Sequence, residues 1–406
     1  MNLRERLIAV IAERGPMSVA EYMAACLHDP EGGYYATRPR LGEKGDFITA
    51  PNVSQMFGEL LGLWAAEIWN RLGRPPRVSL VELGPGDGTM MADVLRAAKA
   101  APAFLAACRV WLAETSVPLA ALQAAAPKDA PARWIETIEA LPADVPLILL
   151  ANEFLDCLPI DQAAWTGEGW LERRVGVDGA GELAFVMGST STHARPPDAP
   201  SIMRPRGAAR HLPREEAQGR IENATARPSI LHREAGETFR GASYSRRDGG
   251  GVRPPGSILE FSTALTAFGQ AIGGLIARAG GAALFIDYGR DTPGCGDTLQ
   301  AVRNHHKESP LAHPGEADLT AHVDFPAFLE AARAAGALTP RARSQGDFLR
   351  ALGIETRAAA LAGARPDSAG LIARQLARLI APGQMGDLFK AACVHAPGLV
   401  PPGFEV

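Results

Sequence analysis

The sequence predicts an α/β fold built on a mostly parallel sheet, with helical additions at both ends. Three observations carry that prediction. Apolar runs at 78–83, 110–113, 147–151 and 282–286 are too continuous for half-exposed strands and fit strands buried on both faces. Stretches with helical spacing separate them, as parallel strands joined by helices require. An acid closes or follows each run: Glu82, Glu114, Glu153 and Asp287. In such sheets, ligands bind beyond the carboxyl ends of the strands.

Residues 1–75 read as a helical front piece. Leu3, Leu7, Val10 and Ile11 share one helical face among Arg4, Glu5, Arg6, Glu13 and Arg14. Acids this early fit neither a secretory signal nor a transit peptide, so the start reads as the first helix of the domain. Ser18, with Glu21 three residues on, forms a capping box for a helix through Leu27. A Gly32-Gly33 turn then presents Tyr34 and Tyr35, and a polar loop around Gly45, Asp46, Phe47 and Thr49 follows. Simple packing and a lid over the strand ends are both open readings of these aromatics. Ser54 caps a helix over 55–71 whose buried face is Phe57, Leu60, Leu61, Trp64 and Ile68.

Residues 76–187 hold the first part of the core: strands at 78–83 and 110–114, a short one at 134–135, one at 147–151, and β structure over 171–187. Between 188 and 256 lysine is absent, arginine, proline, serine and glycine accumulate, and no apolar period is sustained. Such a stretch buries too little to offset its ordering entropy, so an irregular, disordered insertion is expected. The core resumes over 257–310, with a helix at 265–279 and a fifth strand at 282–286. The stretch 299–320 reads mostly as loop, with 318–324 turning back over the site. Residues 311–406 read as a C-terminal region of two or three amphipathic helices. His305-His306 suggests a metal pair, but neighbours point different ways and no third ligand stands out, so no metal is expected.

The stretch that organises the chain is Glu82-Leu83-Gly84-Pro85-Gly86-Asp87-Gly88, between a strand and a helix. Glycine serves there because a Cβ would block both a φ > 0 turn and close approach of a ligand to the backbone. A dinucleotide loop needs Gly-x-Gly-x-x-Gly to seat a pyrophosphate. Here the third glycine comes one residue early, and Glu82 would repel a pyrophosphate but suit an ammonium group. S-adenosylmethionine (SAM) carries an ammonium and a sulfonium, so SAM is the expected cofactor.

Composition narrows the function classes. The chain has 406 residues, is 47% hydrophobic and has a formal net charge of −4. Its length suits one large domain with insertions or two domains, and its charge gives no case for nucleic-acid binding. No apolar stretch approaches the ~20 residues of a membrane span. The cysteines Cys26, Cys108, Cys157, Cys295 and Cys393 are scattered and odd in number, which suggests reduced thiols and a cytoplasmic setting.

Taken together, several stretches resemble the MidA family. They are Gly45 to Pro51 with Phe57-Gly58-Glu59, the glycine loop, Asn152-Glu153-Phe154-Leu155-Asp156-Cys157-Leu158-Pro159, Phe285-Ile286-Asp287-Tyr288-Gly289, and Asp318 to Phe325. The resemblance covers about 1–187 and 257–392, and the stretch between departs from the family pattern. It implies a class I SAM-methyltransferase, Rossmann-like sheet. For the mitochondrial relatives it implies methylation of an arginine in a respiratory complex I subunit.

The expectation that follows is methyl transfer to a guanidinium nitrogen of a protein substrate. Glu153 and Asp156 would hold the guanidinium and take its proton, and Asn152 would accept a hydrogen bond from the nucleophile. Glu82 would hold the SAM amino group, with Gly84, Gly86 and Gly88 giving the backbone room beneath it. Glu114 would take the ribose hydroxyls. Asp46 and Thr49 would close over the cofactor, and Tyr34 and Tyr35 would line the substrate channel. The rivals are a small-molecule methyltransferase and a non-catalytic SAM-binding assembly factor; an NAD-dependent oxidoreductase lacks its glycine spacing here.

Overall fold

The structure is a computed structural model that describes residues 1–37, 48–125, 131–192 and 254–405. Most of the expected insertion, and Asp46 and Phe47, lie outside the described residues. The central sheet has eight strands among the described residues, of which six are the longer ones: β1 (Val78–Leu83), β2 (Cys108–Ala113), β3 (Ala132–Ile135), β4 (Leu147–Asn152), β5 (Gly281–Arg290) and β6 (Phe389–His395); the short strand Val323–Asp324 pairs with β5. Their order is β3-β2-β1-β4-β5-β6, with the short strand Arg343–Ser344 beyond β6. The first five run parallel, and β6 runs antiparallel to β5. Strand order reverses between β1 and β4, so a crevice opens at their carboxyl ends, where ligands bind in open α/β sheets.

The helices flanking this sheet and its neighbour are α1 (Leu3–Arg14), α2 (Val19–His28), α3 (Gln55–Arg71), α4 (Thr89–Ala98), α5 (Val117–Ala125), α6 (Thr263–Ala279), α7 (Phe325–Ala334) and α8 (Ala369–Ile380). Strand side chains alternate between two cores. Leu80, Val110, Leu112, Ile148, Leu150 and Leu284 pack with Phe57, Trp64 and Val94 of α3 and α4. Val81, Leu83, Leu149, Ala151 and Phe285 pack with Phe268, Ile272 and Phe328 of α6 and α7. Both faces are dry, and that is why the strands read as unbroken apolar runs. The caps expected for α2 and α3 are present: Ser18 and Glu21 form a capping box, and Ser54 Oγ accepts from the Met56 N–H.

A second sheet is antiparallel, in the order Met17–Ser18, Trp170–Val177, Asp161–Trp165, Ile258–Phe261, with Leu183–Thr192 also paired to Trp170–Val177. Packed with α1 and α2, it forms a third core around Leu7, Tyr22, Leu27, Ile160 and Val175.

Two sequence expectations change. The stretch 299–320 is not mostly loop, because Gln300–Arg303, His306–Glu308 and Asp318–Thr320 form a three-stranded sheet. Strands of three or four residues are too short to show a period. Its hairpin turn is made by Asn304 and His305, at φ 50° and 63°, and His306 opens the next strand. No cluster that could hold a metal occurs among the described residues. The C-terminal region is not helical throughout either, because β6 returns to the central sheet. The sequence of β6, Phe-Lys-Ala-Ala-Cys-Val-His, holds alanines that suit a helix equally well, and pairing with β5 decides the matter. Among the described residues, no helix is long and apolar enough to cross a membrane.

Candidate active site

The glycine bend leaves β1 at the strand-order reversal. Gly84, Gly86 and Gly88 have φ of 59°, 56° and 84°, a region closed to most side chains. The Gly88 N–H donates to the Pro85 carbonyl at 2.8 Å, and Gly88 then stands before the first turn of α4. Glu82, one residue before the end of β1, is 1% exposed. Burial first, then the charge of Asp87, pushes its carboxyl well up, while the Met91 backbone N–H in the first turn of α4 opposes this. Its Oε2 is buried with no hydrogen-bond partner. A buried carboxylate oxygen left bare is costly unless a ligand supplies the donor or cation.

Glu114 lies just past β2, anchored by its N–H to the Ile135 carbonyl at 3.0 Å. Its Oε1 accepts from the Ser116 N–H at 2.7 Å, and its Oε2 accepts from Gln123 Nε2 at 3.1 Å. Burial raises its pKa and those donors oppose the rise.

Across the crevice, β4 ends in the second group of acids. Asn152 is buried; its Nδ2 donates to Glu153 Oε1 at 3.1 Å and its Oδ1 has no partner. Glu153 stands at φ 51°, a strained position for a side chain with a Cβ. Burial first, then the charge of Asp156, pushes its carboxyl up to about 8. The hydrogen bond from Asn152, the N–H of Ala50 and, most weakly, the Arg378 guanidinium on α8 oppose that rise. Asp156 is pushed up to about 6 by burial, against a hydrogen bond from Tyr288.

Asp287, in the carboxyl-terminal half of β5, holds this turn in place. Its Oδ2 accepts the N–H groups of Phe154, Leu155 and Asp156 at 3.0, 2.8 and 3.2 Å, and its Oδ1 accepts from Tyr288 N–H at 2.9 Å. The Glu153 N–H also donates to the Ile286 carbonyl at 2.9 Å. Burial and the charges of Asp156 and Glu153 push the Asp287 carboxyl up, and the N–H donors oppose them. The strain at Glu153 persists because these bonds fix the residues on both sides. Asp287→Asn sets an NH2 group against backbone donors. It is expected to cost about 2–4 kcal/mol, read as a lower thermal midpoint.

The structure places the remaining sequence candidates as follows. Thr49 precedes the short helix Ala50–Val53, and the Ala50 N–H reaches Glu153 Oε1 at 3.3 Å, so this segment sits beside the acids. Asn52 ties the segment to the glycine bend through Asp87 Oδ2 at 3.1 Å. Of the two tyrosines, Tyr34 is only 1% exposed and belongs to the third core, as simple packing would have it. Tyr35 packs against the same core, and its hydroxyl donates to Asp318 Oδ1 at 3.0 Å. Its pKa is raised by burial and by Asp318, Cys157 and Asp156. Asn52, Gln123 and Asp287 are site neighbours that the sequence candidates did not include. Asp287 carried a signal, an acid at a strand end, whereas Gln123 sits in an ordinary helical stretch.

A Rossmann-like sheet whose crevice pairs a bare carboxylate oxygen with a glycine-rich bend fits a cationic nucleoside, and not a pyrophosphate. The class so defined is the SAM-dependent methyltransferases, with SAM as cofactor. The chain belongs to the S-adenosyl-L-methionine-dependent methyltransferase family whose model matches residues 60–342. Among curated proteins it is 32% identical over 378 residues to mouse protein arginine methyltransferase NDUFAF7, mitochondrial, spanning 86% of this chain and 74% of that one. It is 33% identical over 420 residues to the Drosophila melanogaster homolog, spanning 96% and 84%. A crystal structure from Burkholderia thailandensis with S-adenosyl-homocysteine bound superposes with a TM-score of 0.73 at 26% identity, covering 100% of this chain and 92% of that one.

Proposed function

We propose that the chain methylates an arginine guanidinium of a protein, with Glu153 and Asp156 as the acceptor-binding carboxylates. The observation that carries this reading is the pair of acids at the end of β4, each pushed upward in pKa. Two like charges this close to burial call for a cation, and a guanidinium offers a fork of N–H donors to both. The names of the mouse and fly relatives support arginine as the acceptor. A complex I subunit is the protein the family resemblance points to, and the free cysteines suit a reducing, cytoplasmic setting.

Bound SAM supplies a methyl group on a positively charged sulfur, which leaves as a neutral thioether. Glu82 would hold the amino group, Gly84, Gly86 and Gly88 would leave room for the chain of the donor, and Glu114 would hold the ribose. Asn152 and Glu153 orient one guanidinium nitrogen so that its lone pair, not its N–H, faces the methyl. As the N–C bond forms and the S–C bond breaks, that nitrogen loses one proton, and Glu153 accepts it. Arginine stays protonated in water, so such an acceptor is required. Thr49 and Ala50, with Asp46, would cover the cofactor, and Tyr35 would border the acceptor.

The test is transfer of labelled methyl from SAM to proteins of a cell lysate, followed by hydrolysis of the labelled band. Methylated arginine in a discrete protein is expected. Label confined to small molecules, or to a residue other than arginine, would refute the assignment.

A further inference from the structure

We propose that Gln123 is a positioning residue that sets Glu114 to read both hydroxyls of the cofactor's ribose. The inference rests on the assignment of the glycine bend and Glu114 to the cofactor. Gln123 lies on α5, one turn beyond buried Leu119 on the same face, and is itself 1% exposed. Its Nε2 donates twice, to the Gly86 carbonyl at 2.8 Å and to Glu114 Oε2 at 3.1 Å. Its Oε1 accepts from Trp134 Nε1 on β3 at 2.9 Å. An indole N–H only donates, so it dictates which end of the amide carries oxygen. Turned over, the amide would face donor with donor at the indole, and acceptor with acceptors at Gly86 and Glu114. The side chain also packs on the bend, since a Cβ added to Gly88 would lie 3.8 Å from Gln123 Cγ.

Three segments that are distant in sequence are thereby locked together: the bend after β1, the acid after β2, and β3. An ionised carboxylate has about four acceptor directions. The protein uses one on each oxygen of Glu114, through Ser116 and Gln123. The acceptor directions that remain suit the hydroxyls of a ribose, and a deoxyribose uses fewer of them. These two hydrogen bonds, with the Thr115 backbone N–H, favour the ionised form against burial.

Calorimetry with S-adenosylhomocysteine and with its 2′-deoxy analogue tests this without a methyl acceptor. Gln123→Leu is expected to lower affinity for the ribose ligand about tenfold or more and to shrink its advantage over the deoxy ligand. Trp134→Phe removes the donor that orients the amide, together with part of a partly exposed ring packed on the first core, and is expected to shift the ratio the same way by a smaller factor. Should Gln123→Leu fail to fold by its thermal melt, the Trp134→Phe ratio decides. Wild-type discrimination in a folded variant overturns the inference alone. Failure of the wild-type chain to bind S-adenosylhomocysteine removes the cofactor-site assignment and this inference together.

Discussion

Glu153→Gln is expected to lower methyl transfer by about 10²–10⁴-fold while leaving S-adenosylhomocysteine affinity close to that of the wild type. The amide keeps the shape of the side chain and its hydrogen bond from Asn152, yet it has no basicity with which to take the guanidinium proton. The residues proposed to hold the cofactor lie across the crevice on the β1 and β2 ends, so binding and turnover should separate. The pH dependence gives a second readout. Only ionised Glu153 accepts a proton, so wild-type kcat/KM rises with pH, toward an upper limb set by a carboxyl pushed up to about 8 in the free protein. Asp156 interacts with it, so the limb belongs to the pair. A bound cation stabilises the ionised form, so the kcat limb lies at lower pH than the kcat/KM limb.

Linkage adds a stability signature with a definite sign. The folded chain holds the Glu153 proton more tightly than the unfolded one, at about 8 against 4.5. That contribution is complete below about 4.5 and is lost as pH rises toward 8. The wild-type melting midpoint therefore falls over this window more steeply than that of Glu153→Gln. Parallel midpoint curves would show that Glu153 titrates as an ordinary surface acid, and full turnover by the variant would remove it from the chemistry.

How much of this was legible in the sequence depended on whether a residue acts locally or through its partners. The first, fourth and fifth strands could be read because each is long, apolar and buried on both faces. Ser18, Ser54 and the glycine bend could be read because caps and positive-φ turns are settled within a few residues. Tyr34 and Tyr35 show the limit: adjacent and alike in sequence, both pack in one core, yet the hydroxyl of the second meets Asp318, 283 positions away. Gln123 shows the same limit from the other side, since its role exists only once Gly86, Glu114 and Trp134 converge on it. The strand β6 was missed because its alanines carry no period, and only the open edge of β5 selects the extended form.

Gly84→Val is expected to lower S-adenosylhomocysteine affinity at least about 100-fold, the largest binding effect of any single change at the site. Two costs coincide. At φ 59° a β-branched residue is strained, by about 1–2 kcal/mol or more, and relief requires the bend to move. A Cβ at this position would also lie 3.2 Å from Phe154 Cδ2. The Phe154 ring cannot simply yield, because the Phe154 N–H is tied to Asp287 at 3.0 Å and the ring packs against Phe268. Pressure on it passes to the Glu153 turn, so turnover should fall even at saturating cofactor, whereas Glu82→Ala removes a carboxyl on the β1 side, with its hydrogen bond from the Met91 N–H, and should weaken binding with less effect on kcat. Calorimetry for affinity and single-turnover rates at high SAM separate the two variants. Wild-type affinity in a folded Gly84→Val would show that the bend does not lie under the cofactor.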